Sequence, residues 1–157
     1  MRVEIHIREA QEADSGFISA LLVEMGHPLD TETVCANLRT MKALAPRYGT
    51  FVAVIDSAVV GVVSAFASSV LHRPHAVGRI SVLTVTRAFA GRGIGSALLL
   101  HAETFLRQLG CDEIQGFLFS PPVPTADFGR LLTDGYTLDL AIEKKRISAQ
   151  PSRESRY

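Results

Sequence analysis

The N-terminal third of the chain alternates between apolar and polar residues and then takes on a helical pattern. Positions 3–8 alternate strictly, which predicts a half-buried strand. Asp14 occupies a helix N-cap position, and the Gly-His-Pro segment at 26–28 ends the apolar run that follows it. A second helix begins near Thr31, with Thr31 or Asp30 as its cap. The residues at helical spacing are Phe17, Ile18, Leu21, Leu22 and Met25 in the first helix and Val34, Leu38 and Met41 in the second.

The middle of the chain predicts three strands and a long helix. Residues 50–55 and 59–69 read as strands on either side of a short hairpin turn at 56–58. A polar, proline-bent loop leads into a third strand over 79–86. A glycine-rich turn at 90–95 follows, and the clearest helix of the chain occupies 96–109, with Gly110 at its C-terminal stop.

The C-terminal part predicts two more strands and a short helix. A strand over 113–120 is broken by a proline-rich segment, a short helix runs from 125 to 132, and a last strand covers 136–147. Residues 148–157 are polar and are expected to form a flexible tail. The order of elements predicts one domain over residues 1–147, of the α/β class in its α+β form, built on a mixed sheet.

Composition agrees with a single globular domain that has a substantial core. The chain has 157 residues, of which 47% are hydrophobic and 20% charged. Sixteen basic residues balance sixteen acidic ones, which argues against nucleic-acid binding through bulk positive charge. Charges at Arg2 and Glu4 contradict a signal peptide, and no apolar run is long enough for a membrane span, so we expect a cytoplasmic protein without a membrane partner. Cys35 and Cys111 are predicted to be buried and reduced.

The glycine-rich turn carries the main chemical signal. A turn between a strand and an amphipathic helix brings free backbone N–H groups to the positive end of the helix dipole. Gly91, Gly93 and Gly95 let the backbone approach a phosphate or pyrophosphate closely, and Arg92 can add a charged contact. The turn has neither the Lys-Ser/Thr pair of a P-loop nor the spacing of a dinucleotide fingerprint. The alternative is a strand-to-helix turn with no ligand.

Residues 80–99 resemble the central motif of the GNAT superfamily of N-acetyltransferases. In that motif a strand ending L-x-V leads through a short link into R/Q-x-x-G-x-G/A, which opens a helix. Similar segments are residues 7–10 with Asp14, the hairpin 51–63, and the run 126–136. The resemblance implies the GNAT fold, a mixed and mostly antiparallel central sheet flanked by helices, with a splayed central strand pair whose second strand is 113–120.

The resemblance also implies acetyl-CoA as cosubstrate. Backbone N–H groups of residues 91–96 would bind its pyrophosphate, and main-chain atoms of Leu83 and Val85 would pair with the pantetheine arm. One of those N–H groups would polarise the thioester carbonyl. The implied cofactor-binding residues are Leu83, Thr84, Val85, Ala90, Gly91, Arg92, Gly93, Ile94, Gly95 and Ser96.

The sequence departs from the family pattern at three positions. Ala90 stands where the motif has Arg or Gln, and Arg87 or Arg92 is the candidate to replace that contact. Ser81 stands where the family often has a Glu, and a serine hydroxyl is a poor general base. The frequent tyrosine acid is replaced by Arg130 or Leu131. Loss of that acid is tolerable because a CoA thiolate is a good leaving group.

Several side chains outside the motif are candidates for proton removal or substrate contact. His72 and His75 lie in the loop that enters the central strand, and histidine suits proton removal at neutral pH. His27, between the first two helices, and Ser120, at the end of the partner strand, are assigned to the substrate side. For each histidine, a solvated loop or turn position is the preferred alternative. The predicted catalytic residues are Ser81, His72 and His75, and no metal site is predicted.

The resulting hypothesis is an N-acetyltransferase in which a primary amine attacks the thioester of acetyl-CoA in a ternary complex. The amine belongs to a small molecule or peptide, and peptide N-termini, polyamines, aminoglycosides and small amino compounds all remain open. Glu24 and Asp30 fit either a cationic substrate or a solvated surface. The alternatives are a non-catalytic acyl-CoA sensor or interaction module, and a binder of another phosphate ligand. Dimers are common in the family, so a homodimer is a possible partner state.

Overall fold

The computed structural model describes residues 4–116. Ser120 and the elements predicted at 121–157 lie outside these residues, as do Arg130 and Leu131. No helix in the described part is long and apolar enough to cross a membrane. The described elements are β1 (His6–Glu9), α1 (Ser15–Glu24), α2 (Thr31–Ala43), β2 (Tyr48–Ile55), β3 (Ala58–Ser68), β4 (Val77–Val85), α3 (Ile94–Gln108) and β5 (Glu113–Gly116).

The five strands form one sheet in the order β1-β2-β3-β4-β5. The first three pairs are antiparallel, and β5 joins β4 in parallel after the α3 crossover. This confirms the mixed, mostly antiparallel sheet. Pairing between β4 and β5 runs from Val77 opposite Glu113 to Ile80 opposite Gly116. Beyond Ile80, β4 continues to Val85 with no described partner on that side, which is where the splayed pair is expected.

Helices cover both faces of the sheet. Leu98, Ala102 and Leu106 of α3 are fully buried against one face, while Ile18, Leu21 and Val34 of α1 and α2 are buried against the other. On the α3 face, β2, β3 and β4 each present a glycine directly beneath the helix. A Cβ added to Gly49, Gly61 or Gly78 would lie 2.8–2.9 Å from an α3 side chain. The helix side chains concerned are Phe105, Leu98 and Leu106, respectively.

Two turns differ in detail from the sequence-based expectation. The β2–β3 hairpin has a two-residue loop, in which Asp56 and Ser57 both have positive φ (48° and 66°). This geometry matches the twist of the flanking strands and replaces the three-residue turn that the sequence suggested. Helix α3 begins at Ile94, two residues earlier than predicted, because Gly93 takes the left-handed conformation at its N-cap. The sequence does not predict the two short 3₁₀ turns, Glu12–Asp14 and Arg87–Phe89.

Asp14 precedes α1 as predicted, but its side chain does not cap the helix. Both carboxylate oxygens accept from the Arg8 guanidinium, at 2.8 and 2.9 Å, and one also accepts from Gln11 N. The prediction of two buried cysteines holds for Cys111 alone. Burial raises the pKa of the Cys111 thiol, whereas Cys35 is half-buried and its Sγ lies 3.6 Å from a carboxylate oxygen of Glu12.

Replacing Asp14 with alanine should lower the free energy of unfolding by about 2 kcal/mol. The Asp14 side chain is 7% exposed and the partly exposed Arg8 side chain 32%, so the loss falls below that of a fully buried pair. The Arg8 guanidinium holds the pKa of Asp14 below its usual range, so the pair stabilises the fold above about pH 4 and the stabilisation fades as the pH falls. Urea unfolding at pH 7 and pH 3 tests both statements.

The exposed pair between Glu12 and Arg39 offers the control for that experiment. Removing an exposed pair changes stability little, so Glu12→Gln should unfold like the wild-type protein at pH 7. Equal effects of the Asp14 and Glu12 substitutions would contradict the structural importance of the Arg8–Asp14 pair.

Candidate functional site

The carboxyl half of β4 offers main-chain groups to a ligand. Thr86 N donates to Val60 O at 2.8 Å, so the N–H of Thr86 points toward β3. Because peptide groups alternate in direction along a strand, the N–H and C=O groups of Leu83 and Val85 point the other way, toward the β5 side. Leu83 is fully buried and Thr84 nearly so. What this part of β4 can offer to a ligand is therefore its backbone, and cofactor binding by these residues stays a prediction.

The glycine-rich turn ends at an open helix N-terminus. Gly91 and Gly93 have φ of 73° and 79°, conformations that only glycine adopts at little cost. The first helical bond of α3 runs from Ala97 N to Gly93 O, so the N–H groups of Ile94, Gly95 and Ser96 have no partner within the helix. The Ser96 hydroxyl is buried and has no hydrogen-bond partner among residues 4–116. Free N–H groups, an orphaned hydroxyl and the helix dipole fit a bound phosphate group.

Charged side chains flank this turn. The Arg92 guanidinium lies over the Phe89 ring, 4.9 Å from its centroid, which fixes it beside the turn. Ala90 is exposed and brings no polar group to the position where the motif has Arg or Gln. Arg87 is exposed at the start of the 3₁₀ turn. Both arginines that could compensate for Ala90 thus border the turn.

Glu24, at the end of α1, is bonded to the segment that precedes the turn. Its carboxylate accepts from Thr86 Oγ1 at 2.8 Å and from Arg87 N at 3.0 Å. These bonds, that from Arg87 N first, hold the pKa of Glu24 below its usual range. The carboxylate is therefore engaged in joining α1 to the glycine-rich turn, a role that the sequence did not reveal because 62 positions separate Glu24 from Thr86. Asp30, the other acidic candidate, caps α2 by accepting from Thr33 N.

Ser81 occupies a β-bulge in the middle of β4. Ser64 pairs with Val82 and Ala65 pairs with Ile80, so Ser81 is an extra residue on β4. Its side chain is exposed and its Oγ donates to Ser64 O at 3.3 Å. Ser64 Oγ in turn lies 3.1 Å from Thr50 Oγ1. The Ser81 hydroxyl thus bonds to a carbonyl group, and the Ser64 and Thr50 hydroxyls pair with each other. The exposed Ser81 hydroxyl can hold and orient water, but none of the three hydroxyls is a base at neutral pH.

His72 and His75 lie at the other end of β4 from the glycine-rich turn. They are exposed in the loop before Val77, and His75 Nε2 is 3.4 Å from Asp112 Oδ2. The two ends of a nine-residue strand are about 26 Å apart. The bulge at Ser81 is also several residues away from His75 along β4. The geometry therefore separates both histidines from the turn and from Ser81, and it does not favour a catalytic role for either.

His27 belongs to the C-terminal cap of α1. Gly26, with φ of 86°, donates to Val23 O, and His27 N donates to Leu22 O at 2.9 Å. This pattern is a Schellman motif, which satisfies the last carbonyl groups of the helix. The His27 side chain is exposed, three residues beyond Glu24. Its assignment to the substrate side stays a prediction.

Removing the Glu24 carboxylate should weaken ligand binding at the glycine-rich turn. Glu24→Ala takes away two acceptors that hold the backbone before the turn. If the ligand is acetyl-CoA, as the GNAT resemblance implies, we expect its KM to rise about 5-fold with a smaller change in kcat. Steady-state kinetics with varied acetyl-CoA measures the change in KM separately from the change in kcat. Glu24→Gln keeps one acceptor oxygen and should recover part of the affinity.

Thr86→Val is the matched partner substitution because it removes only the hydroxyl that donates to Glu24. Its effect should not add to that of Glu24→Ala in the double variant. Additive effects, or an unchanged KM in Glu24→Ala, would show that the contact does not position the turn.

Comparison with known proteins agrees with this geometry. The model of the acetyltransferase (GNAT) family matches residues 16–120. A comparison with curated protein sequences gave no match. Among solved structures, a transcriptional regulator from Bacillus halodurans C-125 has a TM-score of 0.68 at 20% identity, over 82% of this chain and 91% of that one.

Two acetyltransferases of known structure show the same fold. An aminoglycoside N-acetyltransferase in complex with CoA has a TM-score of 0.68 at 16% identity, over 87% of this chain and 90% of that one. Glucosamine-6-phosphate N-acetyltransferase from Arabidopsis thaliana has a TM-score of 0.68 at 16% identity, over 83% and 90%. At identities of 16–20%, these structural similarities show the fold alone. The match of the family model over residues 16–120 shows the family. The chain belongs to the GNAT family of acetyltransferases.

Proposed function

We propose that this protein transfers the acetyl group of acetyl-CoA to a primary amine of a small molecule or peptide. The main support for the proposal is the N-terminus of α3, where two left-handed glycines precede three N–H groups and a Ser96 hydroxyl that have no hydrogen-bond partner within the described part of the chain. Family membership makes an acyl-CoA the natural ligand of such a site. The N–H and C=O groups of Leu83 and Val85, which point toward the β5 side, then supply hydrogen-bond partners for the amide groups of the pantetheine arm.

Within this proposal each part of the site has one task. N–H groups of residues 94–96 hold the pyrophosphate, with Arg92 and Arg87 near enough to add charge. A main-chain N–H of β4 donates to the thioester carbonyl, which stabilises negative charge on that oxygen during attack. Acetyl-CoA supplies an activated acyl group and a thiolate leaving group. Catalysis rests on placing the amine beside the thioester.

Proton removal from the amine is assigned to water. A substrate ammonium has to lose a proton before it can attack, and Ser81 cannot accept one at neutral pH. The exposed Ser81 hydroxyl can instead hold a water that passes the proton to solvent. Activity should therefore rise with pH as the fraction of neutral amine rises, with no plateau near the pKa of a histidine. A His72→Ala, His75→Ala double variant should keep that pH profile.

Release of free CoA thiol across a panel of amines tests the proposal. Turnover that requires both acetyl-CoA and an amine, with mass spectrometry of the N-acetylated product, would support it. Absence of thiol release with every amine at saturating acetyl-CoA would count against an enzyme.

A non-catalytic acyl-CoA sensor is the second candidate, and the serine at position 81 is the observation that favours it. Thermal shift separates the two, because a bound ligand stabilises the protein whether or not it reacts. A shift with acetyl-CoA but no turnover favours the sensor, and no shift at all eliminates both candidates. A shift with a different nucleotide would point to another phosphate ligand.

A further inference from the structure

A row of four side chains crosses the sheet on the face opposite α3. Tyr48 of β2 pairs with Phe66 of β3, Phe66 pairs with Arg79 of β4, and Arg79 pairs with Gln115 of β5. Residues opposite each other in a sheet share a face, so these side chains lie in line. The first two rings stack, with centroids 5.1 Å apart and planes 14° from parallel. The row thus places a stacked aromatic pair beside a guanidinium.

Arg79 is one of four arginines within residues 4–116, with Arg47, Arg87 and Arg92, that form no ion pair with a carboxylate in that part of the chain. Four others, Arg8, Arg39, Arg73 and Arg107, each pair with a carboxylate. Within residues 4–116, the Arg79 side chain forms neither an ion pair nor a hydrogen bond. Arg79 is exposed on β4, between Phe66 of β3 and Gln115 of β5. The buried side chains of α1 and α2 pack farther along this face, against Val52, Val59 and Val62, so Arg79 stands beside that packing and not under it.

The position of Arg79 relative to Ser81 connects it to the reaction. Gly78 and Ile80 pack toward α3, which turns Arg79 to the opposite face. Val82, just beyond the bulge, lies on that same face, and the exposed Ser81 is the extra residue between Ile80 and Val82. Two residues of a strand span about 7 Å, well within the reach of an arginine side chain. A molecule whose amine lies at the bulge can therefore place another group against the Arg79 guanidinium.

We propose that the acceptor carries an anionic group, a carboxylate or a phosphate, that binds Arg79 while its amine is acetylated beside Ser81. This inference rests on the proposed function and narrows its substrate class. A guanidinium that has no partner within residues 4–116 is suited to bidentate contact with a carboxylate or phosphate. The same positive charge repels a substrate that carries additional ammonium groups. Amino acids and amino-sugar phosphates fit this site, and aminoglycosides and polyamines do not.

Matched acceptors that differ in one anionic group provide the test. L-phenylalanine compared with L-phenylalaninamide isolates a carboxylate, and glucosamine 6-phosphate compared with glucosamine isolates a phosphate. We expect at least one anionic acceptor to exceed its neutral counterpart in kcat/KM by about 10-fold or more, with the advantage shrinking at high salt. The pair that shows the advantage identifies which anion binds. The amine of the amide is less basic, so a preference for the acid cannot arise from a larger share of neutral amine.

The Arg79→Gln variant should reduce the ratio of kcat/KM for the anionic acceptor to kcat/KM for its neutral counterpart to near one. Arg79→Lys should restore part of that ratio. Arg107→Gln removes an exposed arginine from α3, on the other face of the sheet, and should leave the ratio as in the wild-type protein. Circular dichroism of each variant checks that it is folded. A wild-type preference for neutral or polycationic acceptors, or a preference for anions that survives Arg79→Gln, would overturn the inference and leave acetyl transfer intact. Absence of turnover with every acceptor would instead overturn the proposed function and this inference with it.

Discussion

Replacing Gly93 with alanine is expected to raise the Kd for acetyl-CoA by about 10- to 100-fold. Gly93 has φ of 79° at the N-cap of α3, and no heavy atom lies within 4 Å of the place where its Cβ would be. That open space lies beside the free N–H groups of residues 94–96, where the phosphate is proposed to bind. A methyl group there obstructs the anion and strains the turn that aims those groups. Isothermal titration with acetyl-CoA measures the loss directly.

Gly110→Ala is the matched control for Gly93→Ala. Gly110 has the same φ of 79° and equally open surroundings, but it lies at the C-terminal end of α3. Both substitutions force alanine into a left-handed conformation, at a cost of about 1–2 kcal/mol each in folding stability. The two variants should therefore lose similar stability while only Gly93→Ala loses affinity. Similar affinities for the two variants would argue that the turn does not hold the ligand.

Leu98→Ala is expected to lower the free energy of unfolding by about 3–5 kcal/mol. Leu98 is fully buried in α3 and packs over Gly61, where the absence of a side chain leaves room for it. Removing its branched end opens a cavity that the rigid strands beneath cannot close. Urea unfolding followed by circular dichroism should show a lower midpoint with an unchanged slope.

Leu100→Ala provides the comparison on the same helix. Leu100 is 54% exposed, so its truncation should change stability by less than about 0.5 kcal/mol. Both variants exchange leucine for alanine within one helix, which leaves burial as the main difference between them. Comparable losses would mean that α3 does not pack on the sheet in the manner described.

Much of the fold could be predicted from the sequence because its signals are local. Helical spacing, the cap at Asp30 and the glycines after α1 and α3 act over a few residues, and each is confirmed by the structure. The glycine-rich turn was identified for the same reason, since strand, turn and helix follow one another directly. Its geometry is the one expected for an anion site.

Features that depend on register or on distant contacts could not be predicted in this way. The bulge at Ser81 and the row that contains Arg79 exist only once β3, β4 and β5 are aligned. The role of the Asp14 side chain could not be predicted for a different reason. An aspartate before a helix can either cap the helix or form an ion pair, and the position of Arg8 makes Asp14 form the ion pair. The sequence places His72 next to the central strand and so predicts a catalytic role, yet the length of β4 separates it from the glycine-rich turn.

The three glycines beneath α3 have a consequence for how ligand affinity can change. Gly49, Gly61 and Gly78 set the clearance between helix and sheet, so added bulk at any of them moves α3 away from the strands. The N-terminus of that helix would move with it, out of alignment with the backbone of β4. Substitutions at these buried glycines, which do not contact the ligand themselves, can thus change the affinity for the ligand in small steps. Directed evolution for altered affinity should therefore recover substitutions at these three glycines as well as at the glycine-rich turn.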